Sequence, residues 1–410
     1  MRLVLIVPRF PRVSETFIVN KFVGLIDAGW DVHIVCQKAS PEAWEHFPPL
    51  AGRPELKARV HEQWRHEPRW VALILWLPVF LATLARAPRD VARYWRAVRS
   101  RFGWRTIKQF YMDAAIIALR PDILHFEFGA PAVGRTYLKA VLGCCLSVSF
   151  RGYDISYAGL EDPNYYARLW EDTDALHVLG RGLWQRALRR GCPPDKLHVL
   201  IPPAIDVNFF NTNRAERTLA PIDPDRPLRI LSVGRLEWVK GYEYGLRAVQ
   251  LLSERGVPFE YRIIGDGAYL EPLAFARHEM GLEANVHFLG SRPHSDVLDQ
   301  MDWADVFLHA SVSEGFCNAV LEAQAMQLPV VSSDADGLSE NVADRRTGFV
   351  APRRDPAALA DRLADLARDP ALRREMGRAG RERVEACFSL PQQIAAFDRF
   401  YREMMTRHAC

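Results

Sequence analysis

Two glutamates, Glu314 and Glu322, stand with seven residues between them in the run Glu314-Gly315-Phe316-Cys317-Asn318-Ala319-Val320-Leu321-Glu322. The apolar segment Asp305–Ser311 precedes them, and apolar residues recur at Phe316, Ala319/Val320, Ala323 and Met326, which is helical spacing. Glu314 is therefore expected on the loop that ends a strand, and Glu322 two turns into the helix that follows. At 1.5 Å per residue the carboxylates are at most about 12 Å apart along the axis. Ionised carboxylates only accept hydrogen bonds, so both suit hydroxyl-bearing partners. The helix start between them offers unpaired N–H groups to an anion, and Gly315 lets that anion approach the Phe316, Cys317 and Asn318 amides. The pattern fits an elongated ligand, phosphate in the middle and hydroxyls at both ends.

A cationic pair belongs to the same picture. The segment Leu228–Gly234 reads as a strand, and Arg235 and Lys240-Gly241 come directly after it. Open α/β sheets bind ligands at the C-terminal ends of such strands. A guanidinium and an ammonium there would neutralise a diphosphate leaving group.

Gly234-Arg235-Leu236 with Lys240-Gly241, then Gly265-Asp266-Gly267, then the paired glutamates, resemble the retaining glycosyltransferases of the large GT4 family. The N-terminal run from Pro8 to Ile18 resembles a subgroup that builds exopolysaccharide units of the colanic-acid type. The resemblance covers nearly the whole chain. It implies a GT-B fold: two doubly wound Rossmann-like domains facing a central cleft. It also implies a nucleotide-diphosphate sugar as donor and front-face attack, with the leaving phosphate taking the acceptor proton. Arg235, Lys240 and Glu314 would then be catalytic. Gly234, Asp266, Arg292, Gly315, Phe316, Cys317, Asn318 and Glu322 would bind the donor, with Glu322 on the ribose.

On the N-terminal side the family turn His-Gly-x-Asp reads Arg151-Gly152-Tyr153-Asp154, so Arg151 replaces the histidine as a fixed cation toward the phosphate. His125 and Glu127, at the end of another strand, are further candidates beside the acceptor, as is Asp154. Arg9, Arg12 and Ser14 lie on the loop expected after the first strand and are read as contacts to a diphosphate or as a helix cap. An Asp-x-Asp metal motif is not found in a cleft position, so no metal or other cofactor is expected.

A chain of 410 residues, 49% hydrophobic, is expected to form two domains. The boundaries read as 1–205 for an acceptor-binding domain and 226–390 for a nucleotide-sugar domain. A tail helix, 391–410, is a candidate to cross back to the first domain, and Pro- and Asp-rich sequence between Pro202 and Pro227 serves as linker. Strands are expected at 3–7, 31–36, 122–128, 146–150, 175–179, 197–201, 228–234, 259–264, 285–289, 305–310 and 329–333. The net charge of +3 excludes no partner, and seven cysteines without a C-x-x-C pair fit reduced thiols rather than disulfides or zinc. Five apolar residues before Pro8 are too few for a secretory signal.

From Arg86 to Lys108 eight basic residues face Asp90 alone, within an amphipathic insertion spanning about 65–110. Val91, Tyr94, Trp95 and Val98 are expected to form its apolar surface. Anionic lipid is the expected partner, not nucleic acid, for which no motif is present. The mainly apolar stretch Trp70–Ala85, sixteen residues with Pro78 inside it, is too short to span a bilayer. The reading is a hexosyltransferase acting on a saccharide or polyprenyl-linked acceptor, cytoplasmic and peripheral to the inner face of the plasma membrane. A nucleotide-sugar-binding protein without transfer activity, or an epimerase of the same architecture, stands as the alternative.

Overall fold

Short runs rich in Val, Ile and Leu alternate with helices along the chain, which is the pattern of parallel strands buried on both faces. A computed structural model describes residues 1–12, 15–63, 69–212 and 221–408. Ser14, the start of the amphipathic insertion and part of the linker therefore lie outside the described residues. Two units emerge, each with its own sheet. One comprises Met1–Leu179, Leu183–Ile201 and Gln393–Cys410, the other Gly180–Gly182 and Pro202–Gln392.

In the first unit seven strands run in the order β3-β2-β1-β4-β5-β6-β7, all parallel. They are β1 (Arg2–Phe10), β2 (Asp31–Ala39), β3 (Val60–Glu62), β4 (Ile123–Phe126), β5 (Cys145–Phe150), β6 (Ala175–Val178) and β7 (His198–Leu200). The strand order reverses between β1 and β4. β1 is longer than expected and takes in Arg9, which pairs with Lys38 instead of lying on a loop. Pro8 is tolerated there because pairing with β4 stops at Ile6, so the missing N–H has no partner to lose.

The last helix, Leu390–His408, belongs mostly to this unit: Phe397, Phe400, Tyr401 and Met404 are buried with Leu3, Leu5, Phe22 and Ile34 in one core. Three further helices, Arg69–Arg86, Pro88–Phe102 and Thr106–Leu119, pack on one another through Phe80, Trp95 and Phe110. This packing corrects one expectation. Val91, Tyr94 and Val98 are buried, because Tyr94 stacks edge-on against Phe110 and bonds Asp113, so that face of the basic helix is not apolar surface.

The second unit holds six parallel strands in the order β10-β9-β8-β11-β12-β13. They are β8 (Leu228–Val233), β9 (Phe259–Ile264), β10 (Val286–Gly290), β11 (Val306–His309), β12 (Val330–Ser333) and β13 (Gly348–Ala351). Here the order reverses between β8 and β11. Leu228, Ile230, Leu246, Val249, Ile263 and Leu308 are completely buried at its centre. β3 and β13, both edge strands of three or four residues, are additions to the strands read from sequence.

Candidate active site

The switch point of the second sheet lies between β8 and β11, and the segments leaving both strands carry the expected charges. After β8 comes Arg235, with its side chain 76% exposed and a distant contact, 3.8 Å, to Glu237. A single turn, Trp238–Lys240, follows and ends at Gly241, in left-handed backbone at φ 61°. A Cβ on Gly241 would lie 2.3 Å from the Ala310 carbonyl oxygen, so glycine alone lets this turn press against the end of β11. The Val312 N–H donates to the Val239 carbonyl at 2.9 Å and fixes that contact. Lys240 Nζ consequently bonds Glu314 directly.

Gly265 explains the second glycine motif. Its φ is 146°, and a Cβ there would meet the Gly234 carbonyl oxygen at 1.9 Å. The Leu236 N–H donates to the Asp266 carbonyl at 2.9 Å, so the Gly265–Gly267 turn braces the one bearing Arg235. Asp266 itself accepts from the Gly267 N–H at 2.8 Å and builds that turn. Arg292 is exposed beyond β10, its Nε–H donating to the Leu289 carbonyl at 2.9 Å.

Glu314 sits in a dense polar cluster. His309 Nε2 lies 3.3 Å from its Oε2, 3.0 Å from the Ser311 hydroxyl and 3.4 Å from the Cys317 sulfur. Burial works against ionising Glu314, but Lys240 and His309 outweigh it and hold its pKa down at about 2. Burial likewise opposes charge on His309, yet Cys317 and Glu314 push its pKa up to about 9. Glu314 is thus an anion locked between two cations at neutral pH. Ligand atoms of His309, Glu314 and Cys317 lie within 4.8 Å of one another. A metal there would have to displace the Lys240 ammonium from the same carboxylate oxygen.

The helix starts at Asn318, four residues after Glu314, so Glu322 stands one turn into it rather than two. Its carboxylate makes no hydrogen bond or ion pair among the described residues, and burial alone pushes its pKa up to about 7. The expected row of three amides is also revised. The Cys317 N–H donates to Asn341 Oδ1 at 3.0 Å, and Asn341 Nδ2 returns a bond to the Cys317 carbonyl at 3.0 Å. Phe316 and Asn318 keep N–H groups without an acceptor among the described residues, and the Phe316 ring packs edge-on against Phe388.

In the first unit the expected acceptor groups are partnered from within. His125 is fully buried after β1's neighbour strand begins, its ring nitrogens each 2.8 Å from a serine hydroxyl, Ser147 and Ser149. Glu127, also fully buried, accepts from Lys21 at 2.6 Å and from Arg151 at 3.0 Å. Burial raises the Glu127 pKa, but Lys21, His125 and Arg151 together bring it far below the carboxylate range. The Arg151 guanidinium lies 3.6 Å from the centre of the Phe17 ring. Asp154 is buried and accepts from the Ala130 and Arg151 N–H groups at 3.0 and 3.2 Å. Arg9 and Arg12 are exposed, the latter 3.0 Å from Glu15.

With this geometry in place, the chain can be compared with known proteins. A family model described as glycosyl transferases group 1 matches residues 219–383. AmsK of Erwinia amylovora, an amylovoran biosynthesis glycosyltransferase, is 31% identical over 96% of this chain and 97% of its own. The chain belongs to the group 1 glycosyltransferases. WcaL of Escherichia coli K12, a glycosyltransferase named for colanic acid biosynthesis, is 29% identical over 94% of this chain and 95% of its own. In fold, HepE of Anabaena, solved with UDP and glucose, superposes with a TM-score of 0.73 at 14% identity, covering 98% of this chain and 100% of that one. A glycosyltransferase from Rickettsia africae gives 0.69 at 16% identity, covering 98% of each. The fold is accordingly GT-B, two doubly wound domains in one chain.

Within this glycosyltransferase the matched family region contains every donor-side candidate, from Gly234 to Glu322. Chemically, the arrangement offers a largely exposed guanidinium, a half-buried ammonium–carboxylate pair and, among the described residues, an unpartnered carboxylate near its proton-exchange range. Sequence reasoning did not single out His309, Asn341 or Lys21. The available signal was weak: a histidine closing an apolar strand, an asparagine ending the short helix Leu338–Asn341, and a lysine on the inward stripe of Thr16–Asp27.

Proposed function

We propose that this enzyme transfers a hexose from a nucleotide-diphosphate sugar, retaining anomeric configuration, as a GT4-type transferase. The acceptor is a saccharide carried on a polyprenyl lipid, and the product is a unit of cell-surface polysaccharide made at the inner face of the plasma membrane. The likeness to AmsK and WcaL supports the pathway, and HepE's complex supports the donor class. One observation carries the reading: Lys240 and Glu314 are paired at the switch point of the second sheet, with Arg235 largely exposed after the same strand and Glu322 unpartnered among the described residues.

In this proposal Arg235 and Lys240 hold the diphosphate and stabilise the charge that develops as the glycosidic bond breaks. The Phe316 and Asn318 N–H groups add the helix-terminus contribution. Glu314 accepts from hydroxyls of the departing sugar, its position fixed by Lys240 and His309. Glu322 accepts from the ribose. The first unit takes the acceptor, where Arg151 supplies a cation fixed by Glu127 and Phe17. Protein cations carry the charge that a divalent ion would otherwise carry, so no metal takes part.

The test is slow hydrolysis of UDP-, GDP- and TDP-sugars by the purified enzyme without acceptor. One donor should release free sugar, before and after EDTA treatment alike. Glu314→Gln should lower that rate about 10²- to 10³-fold, the scale of removing one group that stabilises developing charge. A folded Glu314→Gln enzyme of full activity would remove the assignment.

A further inference from the structure

We propose that helix Arg69–Arg86 is a wedge that enters the interface of an anionic bilayer, while the two helices after it supply the charge that holds it there. Four large apolar side chains on this helix, Trp70, Ile74, Leu77 and Leu81, are each 54–64% exposed. Their spacing of four, three and four residues keeps them on one face. The opposite side of the helix is occupied, with Val79 and Thr83 buried and Phe80 against Trp95 and Phe110. This stripe is therefore not the inner face of a core helix. Continuous exposed apolar surface of this kind marks an interaction site.

The charge beside it says what covers it. Arg89, Arg96, Arg99, Arg105 and Lys108 are exposed and have no acidic partner among the described residues. Trp104, 91% exposed, and Ile107 stand among these cations. An apolar protein partner would leave unpaired arginines at its rim, whereas anionic headgroups neutralise them while acyl chains receive the stripe. Among the described residues no helix is long and apolar enough to cross a membrane, so this is attachment in the plane of the interface. The inference rests on the proposed function only for what the surface brings within reach, a lipid-carried acceptor.

The experiment is flotation of the full-length enzyme with phosphatidylcholine vesicles, with or without phosphatidylglycerol, together with quenching of tryptophan fluorescence by brominated lipid. Binding should require phosphatidylglycerol, weaken in high salt and quench Trp70 and Trp104. Arg96→Gln with Arg99→Gln should lower the partition coefficient about 25-fold, roughly fivefold per charge. Leu77→Glu with Leu81→Glu should abolish quenching of Trp70. Both pairs should leave acceptor-free donor hydrolysis and the melting temperature as in the parent, which separates failure of this proposal from failure of the donor assignment. The wedge is overturned if the protein stays in solution with anionic vesicles at low salt. It is equally overturned if the leucine pair binds as the parent does, or if the parent is a dimer in solution that these two substitutions dissociate.

Discussion

At Glu322 a single carboxylate links stability to ligand binding. Its pKa of about 7 lies above the unfolded value, so between roughly pH 4.5 and 7 the folded chain keeps a proton that the unfolded chain releases. Stability is therefore fully present below that window and falls as pH rises through it. Partial exposure limits the effect to about 1–2 kcal/mol. Glu322→Gln should accordingly raise the melting temperature at pH 8 and leave it unchanged near pH 4. If the carboxylate meets the ribose, the same variant should bind nucleotide about tenfold more weakly, and the parent's affinity should rise with pH through 7 while the variant's stays flat. Melts and isothermal titrations at several pH values check both. The positions of Arg235, Lys240 and Glu314 at strand ends were legible in the sequence, because ending a strand is a local property. That Lys240 bonds Glu314 across 74 residues was not, nor was the claim of Asn341 on the Cys317 amide.

Among the elements, helix Thr16–Asp27 and strands β4 and β5 meet through charge as well as through apolar packing. Lys21 is 2% exposed, 2.6 Å from Glu127 and 3.9 Å from the Phe397 ring centre. Without Lys21 the Glu127 carboxylate keeps Arg151 as its ionic partner, so Lys21→Met should destabilise the first unit by about 1.5–3 kcal/mol, the scale of one lost charged hydrogen bond, in denaturant titration. A double change with Glu127→Gln should recover nothing, since it also strips Arg151 of its carboxylate. That Lys21 turns inward on this helix was not legible in the sequence, because its partner is 106 residues away. Strand boundaries failed for related reasons. Pro8 marks a strand end wherever the strand on its N–H side continues beside it, and here that neighbour, β4, has already stopped. The edge strands β3 and β13 have too few residues to show a period.

For the molecule as a whole, the alternation of strands and helices made two doubly wound domains readable, since it recurs over the full length. Which amphipathic faces meet protein and which meet another phase was not readable. The apolar sides of Arg69–Arg86 and Pro88–Phe102 look equivalent on paper; both pack a ring on Phe110, and only the exposure of Trp70, Ile74, Leu77 and Leu81 shows that the first carries a second, uncovered apolar face. The final helix supplies Phe397, Phe400, Tyr401 and Met404 to the first core. Residues 1–389 alone should therefore yield a first unit lacking a cooperative thermal transition, checked by calorimetry beside the full chain. During synthesis the same arrangement imposes an order. A nascent polypeptide leaving the ribosome tunnel has exposed all seven strands of its leading half long before the segment that seals them is translated. That half must wait, shielded or partly open, until the helix Leu390–His408 has emerged, and the appearance of that helix decides when it matures.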